Sequence, residues 1–233
     1  MRSILAALLL IAPSAAWAQS CPAWLATAHK LVLVTADTLA SSTASLQRFT
    51  RTSPQASWMP DGGPTTVLIG RNGLAWGHAF RHLAQGGEPI KTEGDKRTPI
   101  GFYRIGASFG FTPSLRRDYL QIRDDTVCVD DATSPAYNSV TQRARVGIKV
   151  HGENMARVRD YRHGLLVDYP TSRAARGGSC IFIHLWMPNK KGTGGCVALP
   201  EPQLVSLQSF AESGAVLAVL PRQASARFNA CLP

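Results

Sequence analysis

The sequence has 233 residues, with 25 lysines and arginines against 15 aspartates and glutamates, so its formal net charge is +10. The basic residues are scattered along the chain and no nucleic-acid recognition motif accompanies them, which argues against a nucleic-acid-binding protein. The charge favours anionic polymers or membrane surfaces as neighbours, but it equally serves solubility alone.

The first 18 residues have the pattern of a secretory signal peptide. Arg2 precedes an apolar run over residues 4–12, and small residues follow up to Ala18. We expect cleavage after Ala18 and export to the periplasm or cell envelope. The apolar run is too short for a membrane helix, and no later stretch reaches the roughly 20 apolar residues that a span needs. We therefore expect an exported protein without a membrane span.

Short apolar runs and turn residues alternate over most of the chain after Lys30, which is typical of a mostly β domain. Two segments are predicted to be helical: residues 23–29, and residues 201–212, which have prolines at their start and Gly214 beyond their end. We expect turns at residues 61–64, 71–73 and 86–87, and strands at residues 31–34, 45–49, 66–69, 74–76, 102–105, 146–150, 165–167, 180–183 and 215–220.

The length remaining after cleavage suits one domain with a sizeable core. We predict this domain at residues 30–221, preceded by a short helical extension at residues 19–29 and followed by a tail at residues 222–233. The sequence has no internal repeat or heptad pattern, and we expect a monomer.

The chain has five cysteines, and an odd number in an oxidising compartment leaves at least one thiol outside a disulfide within the chain. Cys21 and Cys231 lie at the two ends of the mature chain, and the termini of a domain are often close in space. A disulfide between them is therefore plausible. Cys128 and Cys180 would then form the second pair, and Cys196 would remain free.

Residues 177–199 combine an apolar strand, a polar loop and a glycine-rich turn. The strand is predicted to end at His184, and the turn leads into Cys196. A cysteine attacks as its thiolate, so it needs a base, and a histidine within hydrogen-bond reach supplies one. Gly194 and Gly195 let the backbone approach a substrate closely, and their N–H groups, with that of Cys196, are suited to hold an oxyanion.

Two other interpretations compete with a nucleophile and its base. His184 and Cys196 could be a packed histidine and a buried thiol, since free cysteines are commonly buried. Cys180, His184, Cys196 and perhaps His151 could instead bind zinc, although no closely spaced ligand pair anchors that set. The glycines, the odd number of cysteines and the exported context favour the nucleophile.

Three blocks of this sequence resemble the L,D-transpeptidase catalytic domain family, also called YkuD-like. They are EGDKRTPIGFY at residues 93–103, SCIFIH at residues 179–184 and TGGC at residues 193–196. Weaker similarity extends from about Leu31 to Leu220 and includes residues 69–73 and 130–138. The resemblance implies a β-sandwich on which a helix from about Glu201 packs.

The match is to a divergent branch of the family. Better-known members carry a histidine where this chain has Gly194, and a polar residue where it has Ala198. The nucleophile Cys196, the base His184 and Gly195 are retained, so the resemblance still implies acyl transfer through a thioester. We expect the two departures, at Gly194 and Ala198, to affect which substrate is chosen.

The resemblance implies a peptidoglycan L,D-transpeptidase that uses stem peptides as donor and acceptor, without a metal or cofactor. Cross-links of the 3–3 type are the family's familiar products, and 1–3 links are the alternative. A cysteine-dependent peptidoglycan hydrolase (a carboxypeptidase or an amidase) would use the same residues, and a zinc peptidase or a catalytically silent wall-binding module are further alternatives. We expect Thr193, Gly194 and His151 to contact substrate, and a backbone carbonyl in or near residues 178–180 to orient His184.

Overall fold

The computed structural model describes residues 22–212, 214–228 and 231–233. The predicted signal peptide and Cys21 therefore lie outside the described residues. The strands are β1 (Lys30–Ala36), β2 (Thr43–Thr50), β3 (Met59–Leu68), β4 (Leu74–Trp76), β5 (Thr98–Gly110), β6 (Leu120–Gln121), β7 (Thr126–Val129), β8 (Ser139–Gln142), β9 (Glu153–Asn154), β10 (His163–Asp168), β11 (Phe182–Leu185), β12 (Val197–Leu199) and β13 (Ala215–Pro221).

The helical segments are short, apart from one helix near the carboxyl end. The α-helices are α1 (Arg143–Val146) and α2 (Glu201–Ala211), and 3-10 helices occur at Ala23–Thr27, His78–Leu83, Met155–Arg157, Arg159–Arg162 and Arg222–Phe228. Within the described part of the chain, no helix is long and apolar enough to cross a membrane. The expected mostly β architecture, with a packed helix beginning at Glu201 and a helical turn before β1, is confirmed.

The main sheet has the strand order β10-β11-β12-β3-β2-β1-β13-β5-β4, and β10 also pairs with β5. The second pairing closes the sheet on itself, because β5 is long enough to contact β13 with its first half and β10 with its second. Closed sheets enclose a core with the inward side chains of every strand. β13 lies between β1 and β5 in this sheet, and all seven of its residues are buried.

Helix α2 packs on this sheet through one face. Leu204, Leu207, Gln208 and Ala211 of the helix are buried. Gln208 is a polar residue in that position, and its amide donates hydrogen bonds to the carbonyls of Phe109 on β5 (3.2 Å) and of the neighbouring strand β10 (2.9 Å). The helix is thereby fixed to the two strands that close the sheet, since buried polar groups need partners.

A small second sheet, in the order β8-β7-β9, lies next to the amino end of β11. The disulfide between Cys128 on β7 and Cys180 joins the two sheets, with a Cα–Cα distance of 6.0 Å. This pairing is the predicted one. Cys231 is also disulfide-bonded, and its predicted partner, Cys21, lies outside the described residues.

Two local predictions were wrong. Residues 146–150 do not form a strand: Val146 ends α1, Gly147 has a φ of 82°, and Ile148 is 90% exposed. The alternation of apolar residues in this segment had suggested that one of its sides is buried, but in the described part of the chain no neighbouring strand covers that side. Residues 61–64 do not separate two elements either. They lie inside β3, where the register with β2 shifts and the Gln47 amide bonds the Gly62 carbonyl at 2.8 Å.

Candidate active site

The sequence segment with His184 and Cys196 forms two neighbouring strands. β11 and β12 are parallel, and His184 lies opposite Ala198, just beyond Cys196. His184 is within β11 and not at its end, and both it and Cys196 are buried, at 6% and 7% exposure. The strand pairing therefore brings the two predicted catalytic residues to one place.

Cys196 is a free thiol. Its Sγ accepts a hydrogen bond from the N–H of Phe182 at 3.3 Å and donates one to the carbonyl of Cys180 at 3.4 Å. Burial raises the pKa of the Cys196 thiol to about 12, and the Phe182 N–H opposes this in part. The thiol is therefore neutral at physiological pH, so attack by its sulfur requires a base.

The tautomer of His184 is set by a backbone carbonyl. Nδ1 lies 2.9 Å from the carbonyl oxygen of Leu185, so Nδ1 carries the proton and Nε2 is left as the basic nitrogen. Burial lowers the pKa of the imidazole, which keeps the ring neutral. The expected carbonyl in residues 178–180 was wrong in position: the carbonyl of Cys180 is bonded to the thiol instead.

A buried carboxylate near His184 was missed by the sequence reasoning. Asp160, in the 3-10 helix Arg159–Arg162, is 5% exposed, and its Oδ2 lies 3.9 Å from Nδ1 of His184. The same Oδ2 accepts a hydrogen bond from Nζ of Lys190 at 2.5 Å. No sequence spacing connects Asp160 with His184, so the sequence carried no signal for this contact.

The turn before Cys196 is braced by two threonines. Thr193 and Thr98 both donate to the carbonyl of Cys196, at 2.7 and 3.1 Å, and Thr98 comes from the block at residues 93–103. The N–H of Gly195 is bonded to the Thr193 hydroxyl at 3.0 Å. It is thus occupied by the protein itself, and the expectation that it binds an oxyanion was wrong for this arrangement.

The two glycines of the turn differ in what they require. Gly195 has a φ of 141°, and a Cβ there would lie 3.0 Å from the carbonyl oxygen of Arg97. Such a backbone conformation is rarely adopted by other residues. A Cβ on Gly194, in contrast, would meet nothing within 4 Å. Gly194 is therefore open to the cleft, and Gly195 is required by the backbone.

These residues line a cleft of about 310 Å³ that also contains four carboxylates. Each of them has a donor. Glu93 accepts from Ser179 (2.7 Å) and Tyr137, Glu153 accepts from Tyr161 (2.7 Å), Asp130 is paired with His151, and Asp160 with Lys190. Among the described residues, the guanidinium of Arg71 has no such partner, although Arg71 also lines the cleft.

Arg71 is held in place by its backbone. Its N–H donates to the carbonyl of Thr193 at 2.9 Å, and Gly192 approaches so closely that a Cβ there would lie 2.6 Å from the Arg71 Cα. The residue belongs to the weakly similar segment at residues 69–73, but no pattern in the sequence marked it as part of the site. Its position next to the turn before Cys196 depends on the contact between Thr193 and the residues that follow β3.

His151 does not line the cleft. Its side chain is 80% exposed and is paired with Asp130, whose hydrogen bond and charge raise the pKa of the imidazole. Asp130 lines the cleft in its place. Arg162 does not line the cleft either, and its guanidinium is bonded to Glu201 at 2.5 Å.

The zinc hypothesis loses one of its ligands. Cys180 is bonded to Cys128 and cannot coordinate a metal as a thiolate. Within the described ranges, no group of three or more histidine, cysteine, aspartate or glutamate side chains is placed to hold a metal ion.

A family model described as the YkuD L,D-transpeptidase catalytic domain matches residues 50–219. The chain belongs to this family. The resemblance inferred from residues 93–103, 179–184 and 193–196 is confirmed. The family is enzymatic and acts on peptidoglycan stem peptides.

Comparison with known proteins adds little beyond the family. No curated protein matches the chain. Among solved structures, the chain is similar to the helical cell shape determining protein Pgp2 from Campylobacter jejuni, with 14% sequence identity and a TM-score of 0.43. The similarity covers 85% of this chain and 54% of the other, so the chain spans about half the length of that protein.

Proposed function

We propose that this protein is an exported peptidoglycan L,D-transpeptidase in which Cys196 is the nucleophile and His184 is its base. The observation that carries the proposal is the placement of His184 on β11 and of Cys196 directly before the parallel strand β12. The free thiol and an imidazole with a fixed Nδ1 proton line one cleft. The disulfide between Cys128 and Cys180 suits an oxidising compartment and supports export.

In the proposed first step, the thiol adds to a peptide carbonyl of the donor stem. Nε2 of His184 takes the proton of Cys196 while Sγ forms a bond to the carbonyl carbon. The tetrahedral intermediate collapses with cleavage of the C–N bond, and His184 returns the proton to the leaving amine. A thioester on Cys196 results.

In the second step, an acceptor amine attacks the thioester carbon. His184 takes the proton of the amine, the C–S bond breaks, and the sulfur of Cys196 regains the proton. The product is a new amide between two stems. Water in the place of the amine would yield a shortened stem instead, so exclusion of water decides between transfer and hydrolysis.

The oxyanion formed in both steps needs donors other than the N–H of Gly195, which is bonded to Thr193. We assign this role to the N–H groups of Cys196 and Gly194, the remaining backbone donors of the turn. Backbone donors fixed in position stabilise an oxyanion without reorganisation during the reaction. The hydrogen bonds from Thr98 and Thr193 to the carbonyl of Cys196 keep this turn rigid.

The guanidinium of Arg71, which lines the cleft, supports a substrate that carries a carboxylate. Asp130 and Asp160 are ion-paired with His151 and Lys190, whereas Glu93 and Glu153 accept hydrogen bonds from hydroxyl groups. Of the described residues that line the cleft, Arg71 is a cation without an anionic partner. Guanidinium groups bind carboxylates through two parallel hydrogen bonds. Stem peptides carry free carboxylates, so we propose that Arg71 binds one of them and positions the donor.

The role of Arg71 is testable with a matched pair of variants. We expect Arg71→Gln to raise the KM for the donor about tenfold or more, since a charge-assisted hydrogen bond contributes about 1.5–3 kcal/mol. Arg145 is exposed on α1, outside the cleft, and Arg145→Gln serves as the control. Equal kinetics for both variants would contradict the assignment.

The reaction itself is tested with defined muropeptides and purified enzyme, with and without an amine acceptor, and with mass spectrometry of the products. Cross-linked dimers that require Cys196 support the transpeptidase, and their fragmentation distinguishes 3–3 from 1–3 links. The open space at Gly194 changes the wall beside the nucleophile, so either link is compatible with the cleft. Trimmed monomers alone, even with excess acceptor, would assign a hydrolase.

A further inference from the structure

Asp160 occupies the position beside the base where a catalytic triad would place its acid. The carboxylate is buried, and its Oδ2 is 3.9 Å from Nδ1 of His184, a distance too long for a hydrogen bond. The carbonyl of Leu185 accepts the hydrogen bond from Nδ1–H instead, at 2.9 Å. The carbonyl of Leu185 therefore orients the imidazole ring, and the carboxylate of Asp160 supplies the charge beside it.

The charge of Asp160 is opposed by Lys190. Nζ of Lys190 lies 2.5 Å from the Oδ2 that faces His184. Lys190 belongs to the loop between β11 and β12, which joins the proposed base to the proposed nucleophile, and its side chain is half exposed. The ion pair thus also fastens this loop to the 3-10 helix Arg159–Arg162.

We propose that Asp160 is a positioning residue that acts through His184, and that Lys190 limits its effect. When His184 takes a proton from Cys196, the imidazolium forms in a buried site and loses hydration. A carboxylate within about 4–6 Å favours this charged form, and an ammonium group disfavours it. Asp160 therefore stabilises the imidazolium. Lys190 prevents Asp160 and His184 from forming a permanent ion pair before the reaction begins.

The charged and titratable groups around His184 are few. Asp160 and Tyr161 face it from the 3-10 helix, Lys190 from the loop, and Cys196 from the start of β12. Glu153 on β9 accepts a hydrogen bond from the Tyr161 hydroxyl, and its charge also interacts with Asp160, Lys190 and the Cys196 thiol. The charges of Asp160 and Lys190 act on the pKa of His184 in opposite directions, the first raising it and the second lowering it.

This inference rests on the proposed role of His184 as the base, so its test needs a readout besides product formation. The imidazole of His184 is titrated by ¹H–¹⁵N NMR in the full mature protein and in the variants Asp160→Asn, Lys190→Met and Lys191→Met. Lys191 is the neighbouring exposed residue of the same loop and is the control.

We expect Asp160→Asn to lower the pKa of His184 by about 1 pH unit and Lys190→Met to raise it by a similar amount, with no change for Lys191→Met. At pH 7, alkylation of Cys196 by iodoacetamide should slow several-fold in Asp160→Asn, because the protonated form of the base is no longer stabilised. A purely structural role would lower the melting temperature without opposite shifts.

The outcomes separate this inference from the proposed function. Opposite shifts of the pKa support the role of Asp160 even if the muropeptide assay shows no acyl transfer, in which case the proposed function alone fails. Shifts in the same direction, or none in either variant, would overturn the inference while acyl transfer could still be found. If Asp160→Asn does not fold, Lys190→Met alone decides: an unchanged or lowered pKa would overturn the inference.

Discussion

The disulfide between Cys128 and Cys180 is expected to stabilise the fold and to hold the thiol of Cys196, the proposed nucleophile, in place. It joins β7 of the small sheet to the residue whose carbonyl accepts the Cys196 thiol. Cys180 has a φ of 56°, which non-glycine residues rarely adopt, and its N–H is held by Asn138 at 3.0 Å. The perturbation is the double variant Cys128→Ala/Cys180→Ala, which removes the bond without leaving a second free thiol.

The magnitude follows from the length of chain that the bond closes. The two cysteines are separated by 52 residues. In the chain-entropy model, a loop of this size corresponds to about 4 kcal/mol at 25 °C. For a domain of this size, a loss of 1 kcal/mol lowers the melting temperature by about 2–4 °C, so we expect a decrease of about 8–16 °C.

Two measurements test this prediction. Thermal unfolding followed by circular dichroism gives the change in melting temperature, and the rate of Cys196 alkylation at pH 7 reports the nucleophile. We expect the alkylation rate to change as well, because loss of the bond frees the Cys180 carbonyl from the thiol. Cys196→Ala, with the disulfide intact, is the control and should keep the melting temperature of the unmodified protein within about 4 °C, as expected for a change of about 1 kcal/mol.

A double variant that melts within about 2 °C of the unmodified protein would refute the reasoning, since that change corresponds to at most about 1 kcal/mol. It would mean that the unfolded chain gains no freedom when the bond is absent. A large loss of stability with an unchanged alkylation rate would support the stabilising role of the disulfide. It would refute only the proposed effect of the disulfide on the Cys196 thiol.

Three further predictions concern the turn and the base. The mature protein should take up one equivalent of a thiol reagent without prior reduction, at Cys196, as read by peptide mapping. Gly195→Ala should destabilise the protein by about 1–3 kcal/mol because of its φ of 141°, whereas Gly194→Ala should leave the urea midpoint unchanged. The kcat/KM of the proposed acyl transfer should rise with pH through the pKa of His184, which burial lowers below its ordinary value of 6.5. It should then stay level to about pH 9, since burial raises the pKa of Cys196 to about 12. A fall between pH 7 and 9 would indicate a thiolate–imidazolium pair instead.

The strands and the long helix were predictable because their signals are local. The continuous apolar run of β13 reflects burial on both sides, and the prolines at the start of α2 fit a first helical turn. Residues 146–150 show where this reasoning fails. An alternating pattern predicts a strand only when another strand is present to cover the apolar side, and the sequence does not say whether it is.

The candidate site was predictable only in part, for a related reason. His184 and Cys196 lie in one strand–loop–strand segment, so their approach could be inferred from short-range connections. Asp160 and Arg71 reach the same cleft from other elements, through a 3-10 helix and a turn after β3. Their contacts depend on how those elements pack, and neither residue belongs to a motif with chemical meaning of its own.

The block at residues 93–103 explains how a distant motif takes part in this site without contributing a reactive group. Thr98 donates to the carbonyl of Cys196 and accepts the N–H of Gly70, so one hydroxyl joins the nucleophile to the strand end before Arg71. Asp95 accepts from the N–H of Arg97 at 2.9 Å and from the buried amine of Lys91 at 2.5 Å. These bonds give the buried hydroxyl of Thr98 and the carboxylate of Asp95 their partners, and they help to fix the backbone on which the turn before Cys196 rests. The block therefore has a physical role in holding the Cys196 thiol in place.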